Sequence, residues 1–211
     1  VYKRQVLERL DWLPLPFPVI TVAGTNGKGS TVAFVESILR SAGYLTGTYT
    51  SPHLVRYNER IRIGGKEASD EAIMAAFEAI DGARGDTTVT YFEYGTFAAV
   101  DLFRREGVDV AVLEVGIGGG LDAVNVFDPD VCVVTAIDLD HQKWLGTDRE
   151  SIARHKAGIF RRDVPAVISD AYPPKSLAEE AERIGARRFQ IGEDFSALCA
   201  PEQWEWRGPT R

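Results

Sequence analysis

Val19-Ile20-Thr21-Val22-Ala23-Gly24-Thr25-Asn26-Gly27-Lys28-Gly29-Ser30-Thr31 reads as a short buried strand that stops at a glycine and gives way to a helix. The run before Gly24 suits a strand inside a sheet, and Val32, Val35, Ile38 and Leu39 recur after the loop at helical spacing. In a strand, loop and helix unit the backbone N–H groups and the positive end of the helix dipole converge on the loop, which favours an anion there. Glycines let the chain curl around phosphate oxygens, and Lys28 supplies the charge a polyphosphate needs. Gly24, Thr25, Asn26, Gly27, Lys28, Gly29 and Ser30 are therefore read as a phosphate cradle. The spacing departs from the usual P-loop, since only two residues separate Gly24 from Gly27. Gly29 also stands where a magnesium-binding hydroxyl normally follows the lysine, so that ligand has to come from Ser30, Ser51 or water.

Working outward, Gly43 closes the helix and Tyr44 to Thr50 reads as a second strand, a crossover that implies parallel pairing. Glu59 to Ile63 alternates like a strand, Gly64-Gly65 makes a turn, and Ala68 to Ile80 and Tyr94 to Arg105 have helical spacing. Val108 to Val115 is the clearest strand; Val131 to Ile137 is another, ending in Asp138-Leu139-Asp140-His141. Thr147-Asp148-Arg149-Glu150 has the Thr-x-x-Glu form of a capping box and predicts a helix to about Gly158. Pro165 to Ser169, Lys175 to Ile184 and Arg188 to Ile191 then read as strand, helix and strand. The alternation predicts one α/β domain over residues 1–211, with a mainly parallel sheet flanked by helices. Val1 in place of Met, and a tail from Glu205 to Arg211 that reads as a strand and turn broken off, point to truncation at both ends.

The charge balance is 24 Lys and Arg against 31 Asp and Glu, a formal −7, which argues against a nucleic-acid groove or a polybasic membrane patch. The apolar runs are far shorter than the roughly 20 residues of a membrane helix. Cys132 and Cys199 have neither disulfide-framework nor metal-ligand spacing, so a reducing, cytoplasmic setting is expected.

Several stretches occur together: Val22 to Thr31, Thr50-Ser51-Pro52-His53-Leu54-Val55-Arg56-Tyr57-Asn58-Glu59-Arg60-Ile61, and Thr90-Tyr91-Phe92-Glu93-Tyr94-Gly95-Thr96. They are followed by Leu113-Glu114-Val115-Gly116, Leu121-Asp122-Ala123, Leu139-Asp140-His141 and Lys156-Ala157-Gly158-Ile159. In this order they resemble the dihydrofolate synthase/folylpolyglutamate synthase family of the Mur ligase superfamily, over nearly the whole chain. The resemblance implies a P-loop-containing Mur-ligase-type central domain. It also implies an ATP-dependent amide ligase that joins L-glutamate to dihydropteroate or folate through an acyl phosphate.

The same resemblance assigns roles residue by residue. Lys28, His141 and Lys156 would be catalytic, Ser51, Glu114 and His141 would hold Mg2+, and Lys156 would carry a carbamate. Thr90, Tyr91, Phe92 and Glu93, with Leu121, Asp122 and Ala123, would form the dihydropteroate pocket. Two aromatic faces beside a carboxylate also suit a flat heterocycle on physical grounds. A monovalent cation such as K+ and a monomeric state are further implications. This sequence departs from the family pattern at Gly120, where Arg is common, at Gln142-Lys143, where Thr-Asp is common, and at His155, where Glu is usual. The family's helical stretch ahead of the phosphate loop and its C-terminal glutamate-ligase domain are expected to be missing. Two rival readings are another Mur-type ligase acting on UDP-linked precursors and a nucleotide-binding module without ligase activity.

Overall fold

The computed structural model describes residues 2–200 and 202–208. Its centre is an eight-stranded sheet in the order β4-β3-β2-β5-β1-β6-β7-β8, with β1 Val19–Ala23, β2 Thr46–Tyr49, β3 Ile61–Ile63 and β4 Lys66–Glu67. The remaining strands are β5 Val110–Glu114, β6 Val131–Val134, β7 Pro165–Ile168 and β8 Arg187–Gln190. From β2 across to β8 neighbouring strands pair in parallel, and at the other edge β3 pairs antiparallel with both β2 and β4. Parallel strands need covered faces. One face carries α2, Lys28–Ser41, over a small cluster of Val22, Val32, Val112 and Val133.

The opposite face carries the larger core, to which α1 Tyr2–Arg9, α3 Asp70–Arg84, α4 Tyr91–Glu106, α6 Arg149–Lys156 and α7 Lys175–Ile184 contribute. A four-residue helix α5, Gln142–Leu145, follows the β6 loop, and β9 Ser196–Ala200 with β10 Gln203–Arg207 forms a separate antiparallel hairpin. Among the described residues no helix is long and apolar enough to cross a membrane. The expected α/β fold with a mainly parallel sheet is thus the one observed.

Four local expectations are corrected. A helix does precede the phosphate loop: α1 buries Val6 and Leu7, and Lys3 ties it to Leu121 and Glu93. Glu59 and Arg60 belong to a 3-10 turn, Tyr57–Arg60, and the strand begins only at Ile61. Helix α4 starts at Tyr91 rather than Tyr94, because Thr90 and Glu93 form a capping box. The capping box expected at Thr147 is absent: Asp148 is the N-cap of α6, its Oδ1 accepting from the Ser151 N–H at 2.8 Å. Glu150 instead accepts the N–H groups of Lys175 and Ser176 and so caps α7 from a distance. Asp148→Ala should therefore cost about 1 kcal/mol in chemical unfolding, while Thr147→Ala should cost less than about 0.5 kcal/mol. Equal losses would restore Thr147 as the cap.

Candidate active site

Strand β1 lies centrally, with the chain leaving it for β2 on one side and reaching β6 on the other, so the crevice at its carboxyl end is where an α/β sheet binds ligands. Gly24, Thr25, Asn26 and Gly27 fill that end. The N–H groups of Thr25 and Asn26 bond to Ala136 O at 2.9 and 3.3 Å, and Thr25 Oγ1 exchanges hydrogen bonds with the backbone of Asp138. These contacts hold the loop against the segment after β6. Gly27 caps α2 at φ 87°, with nothing within 4 Å of where a Cβ would stand. Gly29 and Ser30 follow in the first turn of α2, where free N–H groups face the loop.

Lys28 donates to Thr25 O at 3.1 Å, folding its amine back over the loop. Lys156, 3% exposed at the end of α6, donates to Gly24 O at 2.6 Å. Burial first, and then the charge of Lys28, bring its pKa down to about 8, against the smaller pull of Asp140 and Asp122. Between about pH 8 and the unfolded value of 10.5 the unfolded chain binds the extra proton, so stability rises with pH across that window. Below it the charged amine costs on the order of 3 kcal/mol. Lys156→Met should abolish that rise in unfolding experiments run in CO2-depleted buffer, and parallel pH profiles would contradict the assignment.

Glu114 ends β5 opposite Val22 and is 4% exposed; burial raises its pKa, while Lys28 and the Ser51 N–H oppose the shift. Ser51 N donates to Glu114 Oε2 at 3.4 Å, so these two expected metal ligands adjoin. The loop carrying Ser51 is pinned by Glu59, which accepts from the N–H groups of Leu54, Val55 and Arg56 and is held near pKa 2 by those bonds. His141 enters from the β6 side at φ 46°, with its Nε2 3.5 Å from Asp140 Oδ2. Among the described residues no group of three His, Cys, Asp or Glu side chains is gathered as a metal cluster. The oxygens of Glu114 and Ser51 are the donors a hard cation prefers, and Asp140 is the kind of carboxylate that orients a metal-bound imidazole.

A cleft of about 640 Å³ joins these groups to the expected substrate residues. Lys28, Ser51 and His141 line it with Thr90, Phe92, Glu93, Leu121, Asp122 and Ala123. The fit is uneven. Phe92 packs close under Gly116, but Tyr91, 63% exposed, lies outside the lining and meets Tyr57 edge-on. Glu93 is already engaged by Thr90 and Lys3, which leaves it short of free acceptor capacity. Asp122 accepts the N–H groups of Gly116, Ile117 and Val124 and thereby shapes the glycine loop. Gly120 has only ordinary contacts where a Cβ would stand, at 3.6 Å or more, so its backbone does not demand glycine. Gln142 and Lys143 open α5 beside the site, and Lys143 sits over the Trp144 ring.

Lys3, Pro52, Arg60, Gly116, Ile117 and Asp140 complete the lining, and sequence reasoning gave none of them a role in the site. Asp140, Pro52 and Arg60 stand inside quoted motifs, but Lys3 arrives from a distant element and carries no local signal. Cys132 is buried in β6, its thiol pushed up to about 12 by burial, which suits an inert core group.

A glycine loop opening a helix at the carboxyl end of a parallel sheet, with two lysines and a buried carboxylate around it, defines a P-loop-type nucleotide-binding domain. The model of the Mur ligase middle domain matches residues 22–204, and the chain belongs to that family. It is 52% identical over 191 residues to the dihydrofolate synthase/folylpolyglutamate synthase of Escherichia coli K12, covering 90% of this chain and 45% of that protein. The solved structure of E. coli FolC in complex with DHPP and ADP superposes with a TM-score of 0.95 at 50% identity, covering 98% of this chain and 50% of that one. A bifunctional folylpolyglutamate synthase/dihydrofolate synthase with Mn, AMPPNP and L-glutamate bound gives 0.93 at 47% identity, covering 100% of this chain and 51% of that one. The chain spans about half the length of the curated relatives it matches.

Proposed function

We propose that this chain forms the nucleotide-binding and pteroate-binding part of an ATP-dependent amide ligase. Such an enzyme joins L-glutamate to dihydropteroate, and further glutamates to folates. The observation that carries the reading is the single cleft in which Lys28 and Ser51 share a lining with Thr90, Phe92 and the 121–123 loop. The relatives with DHPP and ADP, and with AMPPNP, Mn and L-glutamate, support it by their composition.

In this scheme the amides of the Gly24–Ser30 loop and the Lys28 amine hold the ATP phosphates, and Phe92 packs against the flat substrate. A substrate carboxylate oxygen attacks the γ-phosphorus, the bond to the β-bridging oxygen breaks, and ADP leaves with that electron pair. The amine of glutamate then attacks the acyl carbon; phosphate departs and the nitrogen loses a proton. The protein's work is positioning and charge stabilisation rather than covalent participation. Ser51, Glu114 and His141 would hold Mg2+, which when bound neutralises phosphate charge.

The near-neutral pKa of Lys156 supports its carbamylation, because only the neutral amine attacks CO2. The product would place an anion beside Lys28 in place of a like charge. We further read the protein as a cytoplasmic monomer that uses K+, and as one domain that works with a C-terminal glutamate-ligase domain.

The test is product analysis on the protein carrying this chain, supplied with Mg·ATP, L-glutamate and dihydropteroate. The proposal expects one ADP per new amide bond, with dihydrofolate as product. ATP turnover stimulated only by a UDP-linked carboxylate, or by no carboxylate at all, would replace it with one of the two rival readings.

A further inference from the structure

We propose that Arg60 receives the carboxylate of the acyl substrate and is a specificity-determining residue of the cleft, an inference that rests on the ligase function proposed above. Arg60 is 8% exposed at the end of the 3-10 turn that precedes β3, and it lines the cleft. Its Nε donates to His53 Nδ1 at 2.8 Å, and its guanidinium carbon lies 5.4 Å from the Tyr57 ring centre and 5.7 Å from that of Tyr91. Among the described residues no carboxylate stands within ion-pair distance of the guanidinium, and the further group that adjoins it is the neutral Tyr49 hydroxyl.

That is an unusual position for a buried cation, which is costly to remove from water without a partner. Arg149 and Arg161, which also reach inward, each have one: Asp170 at 3.0 Å and Asp128 at 2.9 Å. The Tyr49 hydroxyl beside it is buried, its pKa pushed up by that burial, and being neutral it cannot compensate the charge. An uncommitted guanidinium fork facing a ligand cleft matches a planar carboxylate.

Location selects the carboxylate over the ATP phosphates. Arg60 packs against Tyr57 and Tyr91 and shares the lining with Thr90 and Phe92, whereas the phosphates already have Lys28 and the loop amides. Ser51 and Lys28 share that lining, so a carboxylate held by Arg60 lies in one cleft with the phosphate loop and its γ-phosphorus.

The experiment is calorimetric titration of the AMPPNP-loaded protein with dihydropteroate and with its decarboxylated analogue, using Arg60→Met and Arg60→Lys. Arg60→Met should weaken dihydropteroate at least about 10-fold while changing the analogue and AMPPNP by less than about 3-fold. Arg60→Lys, which keeps the charge but not the fork, should fall between. An equal loss for both pterin ligands would make Arg60 a packing residue, and a loss confined to AMPPNP would make it a phosphate residue; either overturns the proposal. Should Arg60→Met fail to fold, the same ratio read from Arg60→Lys decides. If the parent protein bound neither pterin ligand, the ligase reading itself would fall and the Arg60 role with it.

Discussion

Lys28→Ala lowers ATP affinity by about 100-fold or more, the loss expected when one partner of a desolvated, hydrogen-bonded charge pair is removed and the other is left unmet. The loop geometry explains why no neighbour substitutes. Lys156, the other amine at the loop, is committed to Gly24 O and is buried. Removing Lys28 also removes the like charge that helps depress Lys156, so the pKa of Lys156 should rise in the variant. Folding should be nearly unchanged, since among the described residues the only hydrogen bond lost is the local one to Thr25 O. Calorimetry with Mg·AMPPNP and a denaturant melt on the same preparation separate the two effects. An affinity within about 3-fold of the parent would remove Lys28 from the phosphate site.

Gly24→Ala destabilises the chain by about 3 kcal/mol or more, from overpacking together with backbone strain. Gly24 sits at φ 145°, where an L side chain rarely goes. A Cβ there would collide with Thr135 Oγ1 and stand 2.9 Å from Thr135 Cβ and 3.1 Å from its backbone N. Thr135 follows β6 and its N–H bonds to Ala23 O, so it cannot withdraw without breaking the β1–β6 seam. Combining the change with Thr135→Ala should return at least about 1 kcal/mol, because the hydroxyl is removed while Cβ stays, and this coupling marks contact rather than general damage. Additive losses would place the strain elsewhere. Gly27, also at positive φ, has open space around it, so alanine there should cost strain alone.

Much of this architecture is legible in the sequence where the signal is local. The strand, glycine loop and helix unit at 19–41 carries its own periodicity and punctuation, and helix Lys175–Ile184 is read to the residue. Thr-x-x-Glu shows where local reading ends. The same pattern occurs at 90–93 and at 147–150, yet only the first is a capping box. At the second, Asp148 competes for the cap and the start of α7 recruits Glu150, a partner 25 residues away that no window contains.

The site divides in the same way. The phosphate loop is one contiguous segment and reads directly. The resemblance assigns Glu93 and Asp122 to substrate; the fold places both in the cleft lining and engages them with backbone N–H groups and, for Glu93, with Lys3. Lys3 reaches the cleft only through the packing of α1, which is tertiary information, whereas Arg60 stands inside the quoted 50–61 stretch and only its place in the lining comes from the fold.

The most direct test of the central claim is a calorimetric titration of the chain with dihydropteroate in saturating Mg·AMPPNP, with Phe92→Ala as the control for the pterin end of the cleft. One saturable site that Phe92→Ala weakens is the predicted result. Nucleotide binding with no dihydropteroate binding, or dihydropteroate binding indifferent to Phe92, would contradict a cleft that joins the phosphate loop to a pteroate pocket.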